Sequence, residues 1–173
     1  MRRCCLSAGG AVAVALLAAP ASSSTPTLLW QDANAVRVQC LVGPGEDPAS
    51  RNLQEIMCDR VVRFAARGTR LPVSTVTSGD PAMIAPGTVA LLVHGFVERE
   101  GSKRLLAFSI RPFRYSAGDA GLLFGSPPRA ASLTAAGQPT PALDAAIRTA
   151  LAETLPWQSR PQGPRPLTAT TQN

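Results

Sequence analysis

Residues 88–99 (TVALLVHGFVER) and 104–113 (RLLAFSIRPF) flank the polar stretch 100–103, which contains Gly101. Two runs rich in β-branched and aliphatic residues around a short glycine-bearing turn predict a β-hairpin. Centring the turn on Gly101 pairs Phe96 with Leu106, His94 with Phe108 and Leu92 with Ile110. The even-numbered residues then share one strongly apolar face, expected to meet helices. The odd face sets Val93, Gly95 and Val97 against Ser109, Ala107 and Leu105 and turns polar at Arg111. It is expected to be partly covered or to form a contact surface.

Working outward, residues 71–77 (LPVSTVT) read as a short strand, and Pro72 near its start suits a sheet edge. Residues 78–81 (SGDP) are a turn. Upstream, Val36, Val38, Cys40 and Val42 alternate with Arg37, Gln39 and Leu41, the period of a half-buried strand stopped by Gly43-Pro44-Gly45. A helix follows, capped by Asp47 with Pro48 at its first position, or by Ser50 one turn later. Leu53, Ile56, Met57, Val61 and Phe64 make its apolar stripe, and Gly68 its stop. Arg51/Glu55 and Asp59/Arg63 are opposite-charge pairs at i,i+4 spacing on the other side.

Downstream, residues 114–139 are rich in Gly, Pro and Ala around one apolar knot, Leu122-Leu123-Phe124. They read as a long surface segment. A last helix starts with Thr140 as cap and Pro141 in its first turn; Leu143, Ile147, Leu151 and Leu155 recur every four residues until Pro156 ends it. Trp157 is expected against the body, and residues 158–173, proline-rich and aperiodic, are expected to be a disordered tail. The order β-α-β-β-β-α predicts an α+β two-layer sandwich, a mixed or antiparallel sheet with two helices on one face, over residues 35–157.

The amino terminus reads as a targeting segment. Arg2 and Arg3 precede an uncharged apolar run, residues 6–19, and Ala19-Pro20-Ala21 supplies small residues at the positions a signal peptidase inspects. The run is shorter than the roughly 20 residues a spanning helix needs. Cleavage after Ala21 is expected, leaving a polar leader over residues 22–34 and an exported protein, periplasmic or secreted, with no stable membrane span. Cys4 and Cys5 precede the apolar run, so the lipidation pattern, a cysteine just after it, is not matched.

Export changes the composition arithmetic. The chain has 17 basic and 11 acidic residues, a net charge of +6. Removing Arg2 and Arg3 leaves 15 basic against 11 acidic, or +4. The basic residues are scattered among acids with no aromatic interleaving, so nucleic acid is not expected as a partner. Of the four cysteines, Cys40 and Cys58 remain. In an oxidising compartment they are expected to form a disulfide, closing a loop of about 19 residues worth roughly 3 kcal/mol. Two buried free thiols are the alternative. With His94 they are too few for a structural zinc site at the usual spacing.

Residues 89–98 (VALLVHGFVE) and 101–111 (GSKRLLAFSIR), after a strand and a long helix, resemble the amino-terminal domain of the TolB family and related CsgG-type domains. The resemblance spans Val36 to about Phe113. It implies a periplasmic protein-contact domain without enzymatic activity. No β-propeller follows, no lipidation cysteine is present, and no functional residue carries over.

Catalytic chemistry finds little material. His94 is the sole histidine, and its expected neighbours are apolar. The Gly-x-Ser-x-Gly elbow that would make Val93-His94-Gly95-Phe96 part of a hydrolase is missing. Gly43-Pro44-Gly45-Glu46 lacks the Lys and Ser/Thr of a phosphate loop. No cofactor signature occurs. Three readings follow. The first is a non-enzymatic accessory module contacting another envelope protein or component, through the odd hairpin face with Arg111 and Arg114 and through Leu122, Leu123 and Phe124. The second is a small metal-independent hydrolase or lyase using His94 with Asp80 or Asp119. The third is a small-ligand binder with a pocket between sheet and helices.

Overall fold

Alternation in the stretch after Asn34 produces a strand buried on one side only. β1 (Ala35–Gly43) directs Val36, Val38, Cys40 and Val42 into the core. It pairs in parallel on both edges, with β2 (Val73–Thr75) and with β3 (Thr88–Glu100). β3 pairs antiparallel with β4 (Lys103–Phe113), and β4 antiparallel with β5 (Arg129–Leu133). The sheet is therefore mixed and five-stranded, in the order β2-β1-β3-β4-β5. The computed structural model describes residues 27–43, 48–101, 103–115 and 125–158. The expected signal segment (residues 1–21), Asp47, Asp119, Leu122, Leu123, Phe124 and residues 159–173 lie outside the described residues.

Parallel neighbours cannot be joined by a tight turn, and α2 (Pro48–Ala65) makes the crossover from β1 to β2. Leu53, Met57, Val61 and Phe64 form its buried stripe, packed on β1. Pro48 is its first residue; Ser50 lies inside the helix rather than capping it. The second long helix, α3 (Pro141–Thr154), lies on the same sheet face against β4, β5 and α2. Leu143, Ile147, Leu151 and Leu155 are fully buried, as their spacing requires. Thr140 makes no side-chain cap and instead donates its hydroxyl to the Ser132 carbonyl (2.6 Å), which fixes the helix start to β5. The α+β two-layer sandwich is the observed architecture.

Three expectations change. The first is the hairpin register. Glu100 pairs with Lys103, so the turn is two residues long, and Gly101 takes a positive φ of 60°. The symmetry point falls after Gly101, not on it, and Phe96 meets Ala107, His94 meets Ser109, and Leu92 meets Arg111. A one-residue slip sends a strand's side chains to the opposite face. Thus β4 buries its even residues Leu106, Phe108 and Ile110 as expected, while β3 buries Leu91 and Val93 and exposes His94 and Phe96. The odd set of β3 carries no charge before Arg99, whereas the even set would force Glu98 inward, a desolvation that no partner offsets. Gly95 contributes too: a Cβ there would lie 3.1 Å from Leu106 Cδ1, so the missing side chain makes room for Leu106.

The second change is β5, in a segment expected to be loop. RAASL has little intrinsic strand preference, yet Ala131 and Leu133 are buried opposite Leu106 and Arg104. The third is that two intrahelical ion pairs do not form. Among the described residues the salt bridges are Arg60–Asp144 (2.6 Å), which ties α2 to α3, and Arg129–Glu153, which ties β5 to α3. Neither Arg51/Glu55 nor Asp59/Arg63 is joined.

The chain ends also join the body. Within the expected polar leader, α1 (Thr27–Trp30) buries Leu29. Trp30 meets Trp157 edge to face, with centroids 5.0 Å apart. Trp157 Nε1 donates to the Ala65 carbonyl (3.0 Å) and Gln158 Nε2 to that of Phe64 (2.6 Å). The residues after α3 thereby satisfy two end-of-helix acceptors of α2.

Cys40 on β1 and Cys58 on α2 form a disulfide, with Cα atoms 5.8 Å apart. Replacing both by serine is expected to lower stability by roughly 3 kcal/mol in denaturant unfolding. Alkylation of the unreduced, denatured protein should leave both thiols unlabelled; labelling there refutes the bond. Gly87 has φ +75°, and a Cβ on it would fall 2.4 Å from Asn34 Nδ2. Gly87→Ala is therefore expected to cost about 1–2 kcal/mol, and an unchanged melting midpoint would contradict this placement.

Candidate functional site

The long helices α2 and α3 lie on one face of the sheet; on the other, Thr88 and Ala90 at the start of β3 are buried near the 3-10 turn Pro81–Met83, and the residues further along are more exposed. Register and alternation place Gln39, Leu41 and Gly43 of β1 on this open face, beside Leu92, His94 and Phe96 of β3. Next to these come Arg111, Ser109 and Ala107 of β4. Ala130 and Ser132 of β5 complete the rows. The face is apolar at its centre. Leu41 is 45% exposed and Phe96 is 52% exposed, although both sit on inner strands of the sheet. Gly43 lies opposite Phe96, and a Cβ there would lie 3.6 Å from Phe96 Cδ2. The ring edge thus approaches bare backbone, which holds Phe96 close to the sheet without covering it.

His94 stands between Leu41 and Ser109 in this surface. It is exposed, not packed under the helices as its expected apolar neighbours implied. Among the described residues it has no hydrogen-bond or ion-pair partner. Polar groups bound the apolar centre: Arg111 toward one end and Glu98 toward the other, both exposed.

Arg114 has a different task from the contact role expected of it. It is half-buried, and Nη1 donates to the carbonyls of Leu29 (3.2 Å) and Gln31. It ties the end of β4 to α1. Its guanidinium is committed to the backbone and is not offered to a partner.

Asp80 lies elsewhere. Its Oδ1 accepts from Ala82 N (2.8 Å), capping the 3-10 turn Pro81–Met83 between β2 and β3. It lines a recess of about 520 Å³ beside the disulfide, together with Leu41, Gln54, Asp59 and Thr77. His94 is not part of that lining. The space between sheet and helices is taken by core side chains, among them Met57, Val61, Leu106, Ile147 and Leu151. Among the described residues no group of three or more His, Cys, Asp or Glu side chains is placed to hold a metal ion.

Of the surface residues, Leu41 was legible from the alternation of β1, while Phe96 was not, because a turn centred on Gly101 put it on the inward face with Leu106. The charge that follows at Glu98 was the signal that the even positions of β3 face out.

No family model matches the chain, and no curated protein matches it. Among solved structures it is similar to PelC of Paraburkholderia phytofirmans. A dodecamer of a point variant is 12% identical, covering 71% of this chain and 89% of that one, with a TM-score of 0.46. A second PelC dodecamer is 10% identical, covering 75% and 91%, with a TM-score of 0.42. Similarity this distant assigns neither family nor function.

Proposed function

We propose that this protein is an exported, non-enzymatic binding module that contacts another envelope protein or component through its open sheet face. One observation carries the reading: Leu41 and Phe96 stand in adjacent strands, about half exposed, on the face opposite α2 and α3. Scattered exposed apolar residues need no explanation, but neighbouring large ones on the inner strands of a sheet mark a surface that binding would dehydrate. Arg111 and Glu98 at its two ends give a polar rim of the kind that orients a partner.

Export rests on the amino-terminal charge and apolar pattern, and the Cys40–Cys58 bond suits an oxidising compartment. No helix among the described residues is long and apolar enough to cross a membrane. The non-enzymatic part rests on chemistry: the sole histidine does not line the recess that holds Asp80, which is engaged in capping a turn.

A photoreactive phenylalanine analogue in place of Phe96 should yield one discrete cross-linked product in the native envelope. The same analogue at Ala145, exposed on α3, should yield none, and Leu41→Asp should abolish the product from position 96. Equal labelling from positions 96 and 145, or none from 96, refutes the assigned face. His94→Ala is expected to change folding stability by less than about 0.5 kcal/mol, since the residue is exposed and unpartnered. Should a hydrolase or lyase activity of the wild type vanish in that folded variant, the protein is an enzyme and the binding reading fails.

A further inference from the structure

On the helix layer, away from the open sheet face, three arginines gather around one aromatic ring. Phe64, near the end of α2, is 3% exposed. The guanidinium carbons of Arg63 and Arg67 lie 5.2 and 5.0 Å from its ring centroid, and that of Arg148, from α3, lies 5.2 Å from it. Any two of these charges are then at most about 10 Å apart, close to one Debye length at physiological ionic strength. All three residues are exposed.

Among the described residues none of the three forms a salt bridge. Asp144 lies one turn before Arg148 but is held by Arg60 at 2.6 Å. Asp59 lies one turn before Arg63 and forms no salt bridge with it. The carboxyl-terminal end of α2 supplies about half a negative charge, and its Phe64 and Ala65 carbonyls are already bonded by Gln158 and Trp157. The Phe64 ring attracts each guanidinium and restrains where it sits, but a ring carries no net charge. Arg63 on α2, Arg67 just after it and Arg148 on α3 are thus held close together with no salt bridge to a carboxylate.

We propose that Arg63, Arg67 and Arg148 form a binding site for a phosphate monoester dianion. A carboxylate carries one charge in one plane and is satisfied by a single arginine fork. A tetrahedral dianion offers acceptors in several directions and matches guanidinium donors arriving from separate residues. The phosphate belongs either to a soluble molecule or to an anionic lipid headgroup. The site is independent of the open sheet face.

The test uses the full exported chain and two probes. Inorganic phosphate is titrated by calorimetry, and phosphatidylcholine vesicles with and without phosphatidic acid are used in flotation. The Arg67→Gln/Arg148→Gln variant retains side-chain stems over Phe64, and its thermal unfolding should match the wild type. It should weaken binding of the responding probe by about tenfold or more, whereas Arg99→Gln, on the hairpin, should weaken it less than about twofold. A response to phosphate alone assigns a soluble ligand, and a response to phosphatidic acid vesicles assigns a headgroup. No response to either probe, or equal losses in the Arg99 control, overturns the site.

Discussion

β1 is hydrogen-bonded in parallel on both edges, and most of the topology follows from that constraint. A parallel neighbour demands a crossover, so α2 must leave the end of β1, run back over the sheet and deliver the chain to β2. The chain must then pass to the other side of β1 to start β3. The Cys40–Cys58 bond ties this crossover to the strand it comes from. Because both crossover and bond lie on the side where Val36, Val38, Cys40 and Val42 point, the helix layer builds there. The opposite side is left to Gln39, Leu41 and Gly43.

The hairpin then decides what the open side displays. Its turn length sets whether β3 shows Val93 or His94, Gly95 or Phe96, with no change in the strands themselves. The observed register places both charged and bulky groups of the even set outside and lets Leu106 fill the space left by Gly95. Phe96 beside Gly43 and His94 beside Leu41 follow from the separate parallel register of β1 on β3.

The molecule consequently has two unlike surfaces. The sheet side is apolar at its centre with separated charges at its rim. The helix side carries a local basic cluster, although α2 and α3 together hold four arginines and four acids: Asp144 holds Arg60, and Glu153 holds Arg129. Arg63, Arg67 and Arg148 remain around Phe64. A dispersed net charge in sequence becomes a local feature only when two helices pack.

The sequence by itself determined the elements whose hydrophobic period is long and regular: β1, the two hairpin strands, α2 and α3, together with the two-layer arrangement their order implies. It also singled out Cys40 and Cys58, the pair that the expected cleavage after Ala21 would leave. Tertiary structure alone decided the rest. β5 is too short and too alanine-rich to announce itself, and exists because β4 offers an unpaired edge. Arg114 is committed to the carbonyls of residues over eighty positions earlier, a partnership no local pattern encodes. The hairpin register turned on two-residue turn geometry, in which a shift of one exchanges the faces while leaving the apolar count of each strand intact. The arginine cluster joins residues more than eighty positions apart, which only packing of α2 on α3 brings together.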